Sequence, residues 1–274
     1  MTNLPQVPTD PKYLGQERKH PAKFSNGFIQ IFREMLNVHL QLPWTYDTPL
    51  VLDPFAGVGT IHELRPEFAT FGVEIEPEWA AMSEFTYNGD STSLPEYWTN
   101  MFQAVVTSVT YGNRMADHHE LGKCTTCDGK GYNNAPLSSQ LTGTQVDHQC
   151  NKCLGTGKES SKRNTYKHVI GHDLNPRNTG MYQFTQQKYK NLHETAYVEC
   201  WRVLEPGGIF ILNCSDHIRQ GKVMPVSAWH RSVLQAQGFK HIKTQDVNTQ
   251  RLGFGANGSQ RVDSEQIMIF RKEP

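Results

Sequence analysis

Leu50-Val51-Leu52-Asp53-Pro54-Phe55-Ala56-Gly57-Val58-Gly59-Thr60 is a short apolar strand that runs directly into a glycine turn. Three consecutive aliphatic residues, with no polar residue alternating between them, describe a strand buried on both faces, as in a parallel sheet. Gly57 and Gly59 allow a sharp turn and let a ligand come close to the main chain. At the carboxyl end of a buried strand such a loop can cradle a nucleoside-bearing cofactor. Alone it is also what a tight turn requires on steric grounds. A nicotinamide site more often shows G-x-G-x-x-G opening a helix, and the third glycine is absent here.

The flanking sequence supplies the rest of the sheet. Upstream, Phe28, Ile29, Ile31, Phe32, Met35 and Leu36 recur at helical spacing from Asn26 until Pro43 ends the pattern. Downstream, 71–74, 104–107 and 208–213 have the composition of further buried strands. Residues 189–204 suit a helix terminated by Pro206-Gly207-Gly208, and a second helix over 227–237 leads to strands at 240–247 and 266–270. Alternating strands and helices predict a doubly wound α/β sheet with ligands at the carboxyl ends of its strands. Glu74, closing the second strand, is placed to bind ribose hydroxyls, and Gly89-Asp90 lies where an adenine amine can be met.

A chain of 274 residues accommodates one catalytic domain with an insertion and is short for two domains. No apolar run approaches the roughly 20 residues that span a bilayer, so no membrane partner is expected. The N-terminus carries no secretory signal pattern, and the expected location is the cytoplasm. Lys plus Arg and Asp plus Glu both number 27, so there is no global field to attract a polyanion. A nucleic acid would need a local patch. The stretch 158–190 offers one, with Lys162, Arg163, Lys167, Arg177 and Lys188 opposed only by Glu159 and Asp173. Residues 1–19, with Pro5, Pro8 and Pro11, read as an extended arm.

The order of these motifs resembles the amino-methylating DNA methyltransferases. His20-Pro21-Ala22-Lys23-Phe24 matches the family's segment beside the cofactor, residues 53–59 match D-P-F-x-G-x-G, and Gly72-Val73-Glu74 matches the acidic end of the second strand. The resemblance implies a Rossmann-like class I S-adenosylmethionine-dependent methyltransferase fold with a mostly parallel sheet. Phe24, Asp53, Pro54, Phe55, Gly57, Gly59, Thr60, Glu74 and Asp90 would then bind S-adenosylmethionine.

Thr107-Ser108-Val109-Thr110-Tyr111 closes the third of these strands. An exocyclic amine is a poor nucleophile because its lone pair is delocalised into the base. Hydrogen-bond acceptors aimed at it favour the pyramidal form. The Ser108 oxygen and the Val109 carbonyl can accept the two amine hydrogens, and Tyr111 can stack on a base rotated out of duplex DNA. The segment resembles the family's S-P-P-Y or D-P-P-Y turn, in which serine is commoner among cytosine N4 enzymes. Val109 and Thr110 replace both prolines, which normally stiffen the loop. Gly112-Asn113-Arg114-Met115-Ala116-Asp117, Arg163-Asn164-Thr165-Tyr166, the run 202–208 and Asp216-His217-Ile218-Arg219 are similar to methylases encoded by bacteriophages. Arg114, Arg163, Lys167 and Arg219 are the expected nucleic-acid contacts. No Pro-Cys pair exists for carbon-5 cytosine chemistry. Adenine N6, an RNA base, and a catalytically silent zinc-containing DNA-binding protein stay open as alternatives. A monomer is the simplest assembly, though oligomeric state is not legible here.

Cys124-Thr125-Thr126-Cys127-Asp128-Gly129-Lys130-Gly131 and Cys150-Asn151-Lys152-Cys153-Leu154-Gly155-Thr156-Gly157 both read C-x-x-C-x-G-x-G. Four thiolates so arranged suit one tetrahedral zinc, structural because no coordination position is left open. The pattern resembles the cysteine-rich repeats of DnaJ-type cochaperones. Two glycine-rich copies favour metal over a redox role. The expected organisation is a catalytic domain at 20–120 and 160–274 interrupted by a zinc-binding insertion at 121–159. Following the catalytic turn directly, the insertion is a candidate element for target recognition. Cys200 and Cys214 read as small buried residues.

Overall fold

The computed structural model describes residues 26–40, 48–112, 122–133, 148–153, 155, 157–159, 174–219, 221–248 and 262–273. The proposed arm at 1–19 and four of the expected site residues, Phe24, Arg114, Arg163 and Lys167, lie outside them.

The chain enters with helix α1 (Asn26–His39), then β1 (Leu50–Asp53), a 3-10 turn (Thr60–Leu64), β2 (Ala69–Glu74), a single helical turn α2 (Pro77–Ala80), β3 (Thr86–Asn88) and β4 (Phe102–Ser108). Four two-residue strands, β5 to β8, belong to the cysteine-rich insert between 122 and 159. Helix α3 (Gln187–Val203) and β9 (Leu204–Cys214) follow, then a hairpin of β10 (His217–Arg219) and β11 (Lys222–Met224), helix α4 (Val226–Ala236), β12 (Lys240–Asn248) and β13 (Ser264–Arg271).

Seven strands form one sheet in the order β12-β13-β9-β4-β1-β2-β3. Every neighbouring pair is parallel except those made by β13, which runs antiparallel to both β9 and β12. The chain begins at the centre with β1, steps outward to β3, then crosses back to lay β4 on the other side of β1. This reversal opens a crevice at the carboxyl ends of β1 and β4, where doubly wound sheets bind their ligands. The strand order with its one reversed strand is the Rossmann-like class I methyltransferase fold.

Side-chain alternation along the strands divides the interior into two layers. Ile209 and Ile211 of β9, with Val51, Ala104, Val106, Ile267 and Ile269, pack against Phe28, Ile29, Phe32, Met35 and Leu36 of α1. Phe210 and Leu212, one residue out of phase, join Leu52, Val105, Met268 and Phe270 against Tyr189, Tyr197, Cys200 and Val203 of α3 and Leu234 of α4. Cys200 and Cys214 are fully buried in this second layer. Among the described residues no helix is long and apolar enough to cross a membrane.

The structure departs from the sequence expectation in three places. Helix α3 ends at Val203, and Pro206-Gly207-Gly208 lies inside β9 instead of separating helix from strand. The amide of Gly207 donates to the Lys272 carbonyl at 2.8 Å and that of Lys272 to Gly208 at 2.9 Å, so pairing with the C-terminal strand outweighs the local break signal. Strand β3 is too short to show periodicity. The β10–β11 hairpin, with its tip at Gly221 in a left-handed conformation, was likewise not anticipated.

Candidate active site

A cavity of about 570 Å³ opens at the switch point. Its walls include Pro54, Phe55, Gly57 and Thr60 of the glycine turn, Glu74, Asp90, and Ser108, Val109 and Tyr111 of the turn after β4. Pro54 and Ser108, 54 positions apart in sequence, meet because β1 and β4 are hydrogen-bonded neighbours, Val51 opposite Ala104 and Leu52 opposite Val105.

Two expected cofactor residues, Asp53 and Gly59, lie beneath the cavity and not in its wall. Asp53 is fully buried, and its Oδ1 accepts from the Phe55 amide at 3.0 Å and from the Thr107 hydroxyl at 2.7 Å. It thereby ties the glycine turn to β4, and burial pushes its carboxyl up to about 7 despite those two bonds. Gly59 adopts φ 79°, and a side chain there would strike the His62 ring. Both residues shape the turn from below.

Glu74 is buried at the end of β2, with Oε2 accepting from the Gly57 amide at 2.9 Å and Oε1 from the Glu76 amide at 2.9 Å. Desolvation raises its pKa to about 7, with nearby Glu76 adding to the effect. Each carboxylate oxygen keeps a second lone pair, so the group can also accept from a cis-diol.

Just past β3, whose neighbour Gly89 donates its amide to the Glu74 carbonyl at 3.0 Å, Asp90 Oδ2 pairs with the Arg177 guanidinium at 2.8 Å, while its Oδ1 accepts from the Thr92 amide and hydroxyl. Arg177 belongs to a segment that was not expected in the site. Asn178, Thr179 and Gly180 line the cavity, held by buried Glu76, whose Oε1 accepts from the Asn175 amide and the Asn178 side chain at 2.8 Å each. The charge of Arg177 marks the stretch 158–190 for a polyanion, but nothing local in the sequence signals a place in this cavity wall. Its place depends on a contact spanning about a hundred residues.

The turn after β4 is organised by long-range bonds. The Val109 amide donates to the Asn213 carbonyl at 3.3 Å, which continues the β4–β9 ladder one residue past Ser108. A proline at 109 would forfeit that bond. The Asn213 side-chain amide donates to Ser108 Oγ at 3.3 Å and to Glu265 Oε2 at 2.8 Å, and the Tyr111 hydroxyl donates to the same Glu265 oxygen at 2.8 Å. Burial first, then the Glu265 charge, raises the Tyr111 phenol well above its usual value, so it stays protonated. Glu265 and Asn213 also line the cavity, and neither carried a motif that sequence reading could find.

Behind the turn, the Tyr189 hydroxyl lies 2.6 Å from the Thr110 carbonyl and 2.8 Å from His230 Nε2, and the Tyr197 hydroxyl lies 2.7 Å from His230 Nδ1. A carbonyl can only accept, so the one Tyr189 proton goes to Thr110. Tyr189 then accepts from His230 Nε2–H, and His230 Nδ1 accepts from Tyr197. Burial depresses the His230 pKa well below its usual value, consistent with this neutral tautomer. Arg219 stands at the end of the β10–β11 hairpin, paired in register with Lys222, and is not part of the cavity wall.

The four insert cysteines form a second centre, with all four sulfurs within 4.8 Å of one another. Cys124 and Cys150 Sγ are 3.8 Å apart and Cys127 and Cys153 Sγ 3.7 Å apart. A tetrahedron with Zn–S bonds of about 2.3 Å has edges of about 3.8 Å, so the sulfurs fit zinc. The glycines explain the doubled motif. Cys124 N donates to Gly157 O and Cys150 N to Gly131 O, both at 2.9 Å, so each knuckle closes the other. A Cβ on Gly131 would overlap the Gly155 carbonyl, and one on Gly157 that of Gly129.

No protein-family model matches the chain, and no curated protein matches it. Among solved structures, similarity extends to the 1,6-didemethyltoxoflavin-N1-methyltransferase of Burkholderia thailandensis, at 14% identity over 90% of this chain and 78% of that one, TM-score 0.45. A SAM-dependent methyltransferase of Methanosarcina mazei is similar at 11% identity over 87% and 97%, TM-score 0.47. A candidate DNA modification methylase of Thermus thermophilus, complexed with S-adenosyl-L-methionine, shares 18% identity over 32% of this chain and 38% of that one, TM-score 0.28.

Proposed function

We propose that the protein transfers a methyl group from S-adenosylmethionine to an exocyclic amine of a DNA base, with cytosine N4 the preferred target. The observation that carries this reading is the shared cavity. The glycine turn with Glu74 forms one wall, and the Ser108-Val109 turn forms another. Glu74 would hold the ribose and Asp90 the adenine end, while Pro54, Phe55, Gly57 and Thr60 flank the methionine part. When bound, the cofactor supplies an electrophilic methyl group. The protein's contribution is to present acceptors, Ser108 Oγ and the Val109 carbonyl, to the amine, and to keep water from the reacting atoms. Tyr111, anchored through its hydroxyl to Glu265, offers a ring face for the extruded base.

Zinc in the four-cysteine centre would set the shape of the insert, which we assign to contacts with the DNA around the target base. Arg114, Arg163, Lys167 and Arg219 are the proposed phosphate contacts. The deciding experiment incubates the protein with mixed-sequence DNA and methyl-labelled cofactor, digests to nucleosides and identifies the modified base by mass spectrometry. N4-methyl-2′-deoxycytidine is the expected product. N6-methyladenine would change the target, label only in a parallel RNA sample would change the polymer, and no label with no cofactor binding would leave a silent DNA-binding protein.

A further inference from the structure

Methylation of a neutral amine moves positive charge from sulfur to nitrogen, and the product nitrogen must shed a proton. Ser108 Oγ and a peptide carbonyl can accept hydrogen bonds, but neither is a base. Among the described residues, the ionisable ones lining the cavity are Glu74, Asp90, Tyr111, Arg177 and Glu265. Glu74 stands at the glycine turn and not at the turn after β4, Asp90 is paired with Arg177, and Tyr111 is a donor. Glu265 is the carboxylate on the side of the catalytic turn, joined to Ser108 through one Asn213 amide group.

We infer that Glu265, carried by the reversed strand β13, is a catalytic residue that faces the acceptor amine, stabilises the charge arriving on its nitrogen and takes up its proton. The inference rests on the amine-methylation reading above. In the balanced step, the nitrogen lone pair forms the N–C bond as the C–S bond breaks, with the C–S electron pair passing to sulfur. The N–H proton passes to the Glu265 carboxylate, leaving a neutral secondary amine and a neutral thioether. Water later removes that proton from Glu265. Asn213 and Tyr111 act as positioning residues here. Both donate to Oε2 at 2.8 Å, which fixes the plane of the carboxylate next to Ser108. The antiparallel register that sets Gln266 opposite Cys214 brings Glu265 to this edge of the sheet.

The test uses the full-length protein with Glu265→Gln and Glu265→Asp. Loss of a proton acceptor typically costs 10²–10⁴-fold, so kcat should fall by about 100-fold or more in Glu265→Gln. KM for DNA and the affinity for S-adenosylhomocysteine should stay within about twofold, and Glu265→Asp should recover part of the rate. A binding readout independent of turnover is sinefungin, which carries an ammonium where the cofactor carries its methyl group. Its affinity should fall about tenfold in Glu265→Gln while that for S-adenosylhomocysteine holds. Wild-type kcat in Glu265→Gln, or an equal loss of both ligands, overturns the assignment. Failure of the wild-type protein to methylate any nucleoside overturns the amine-methylation reading itself, which separates the two.

Discussion

The Tyr189 hydroxyl donates to the Thr110 carbonyl at 2.6 Å, a bond from the middle of the second core layer to the turn that follows β4. It ends a directed chain running from Tyr197 through His230, and it braces a turn that lacks two prolines by a route that leaves the Val109 amide available to the β-ladder.

Tyr189→Phe should therefore leave the part-buried Thr110 carbonyl and the buried His230 Nε2–H without this partner, at a cost of about 1–3 kcal/mol in denaturant unfolding. If the chain serves the turn, kcat should drop roughly tenfold more than any change in cofactor affinity by calorimetry. Equal kcat in a stable variant would reduce the chain to a core element.

Glu74 links cofactor binding to pH. Burial pushes its carboxyl up to about 7, and ribose hydroxyls bound there would donate to the ionised form. Binding should expel a proton, so affinity should rise as pH climbs through 7 and fall toward tenfold per unit below it. Calorimetry at pH 6 in two buffers of different ionisation enthalpy measures the released proton. A pH-independent affinity would remove Glu74 from the ribose site.

The linkage of the same group to stability has the opposite sense. A raised carboxyl pKa, as at Asp53 and Glu74, gives stability that is complete below pH 4 and is lost as pH rises to about 7. His62 and His193, both depressed to about 4 by burial, give stability that is present above 6.5 and lost as pH falls toward 4. Between pH 4 and 6.5 the two sets oppose each other. Asp53→Asn should consequently make the unfolding free energy rise more steeply with pH across that window than it does in the unaltered protein.

Glu76→Ala should release the segment that carries Asn178, Thr179 and Gly180. Two part-buried donors, the Asn175 amide and the Asn178 side chain, lose their acceptor. The expected result is a destabilisation of about 1–3 kcal/mol and weaker cofactor binding, with methyl transfer restored at saturating cofactor. A large fall in kcat at saturation would instead tie the segment to the chemical step.

Purified protein should carry one zinc per chain by elemental analysis. Cys124→Ser should abolish it and lower DNA affinity or sequence discrimination, while S-adenosylmethionine binding persists, since the cofactor cavity is built from other residues. Intact sequence-specific methylation by a zinc-free variant would refute a role for the insert in target recognition.

The amino-acid sequence alone determined those features whose geometry is encoded by short spacing. An apolar triplet followed by Gly57 and Gly59 specifies a buried strand and a tight turn, and C-x-x-C-x-G-x-G specifies a cysteine knuckle, because only a few neighbouring backbone angles are involved. Ser108 and Glu74 were legible for the same reason, as residues at the ends of recognisable strands. Tertiary structure alone decided that Asp53 supports the turn from beneath, that Glu76 draws 174–181 into the wall, and that Glu265 stands beside Tyr111 from 154 positions away. These relationships depend on strand order and on one reversed strand, and no local run of residues carries that information, because hydrogen bonds between distant side chains form only once the sheet has set their register.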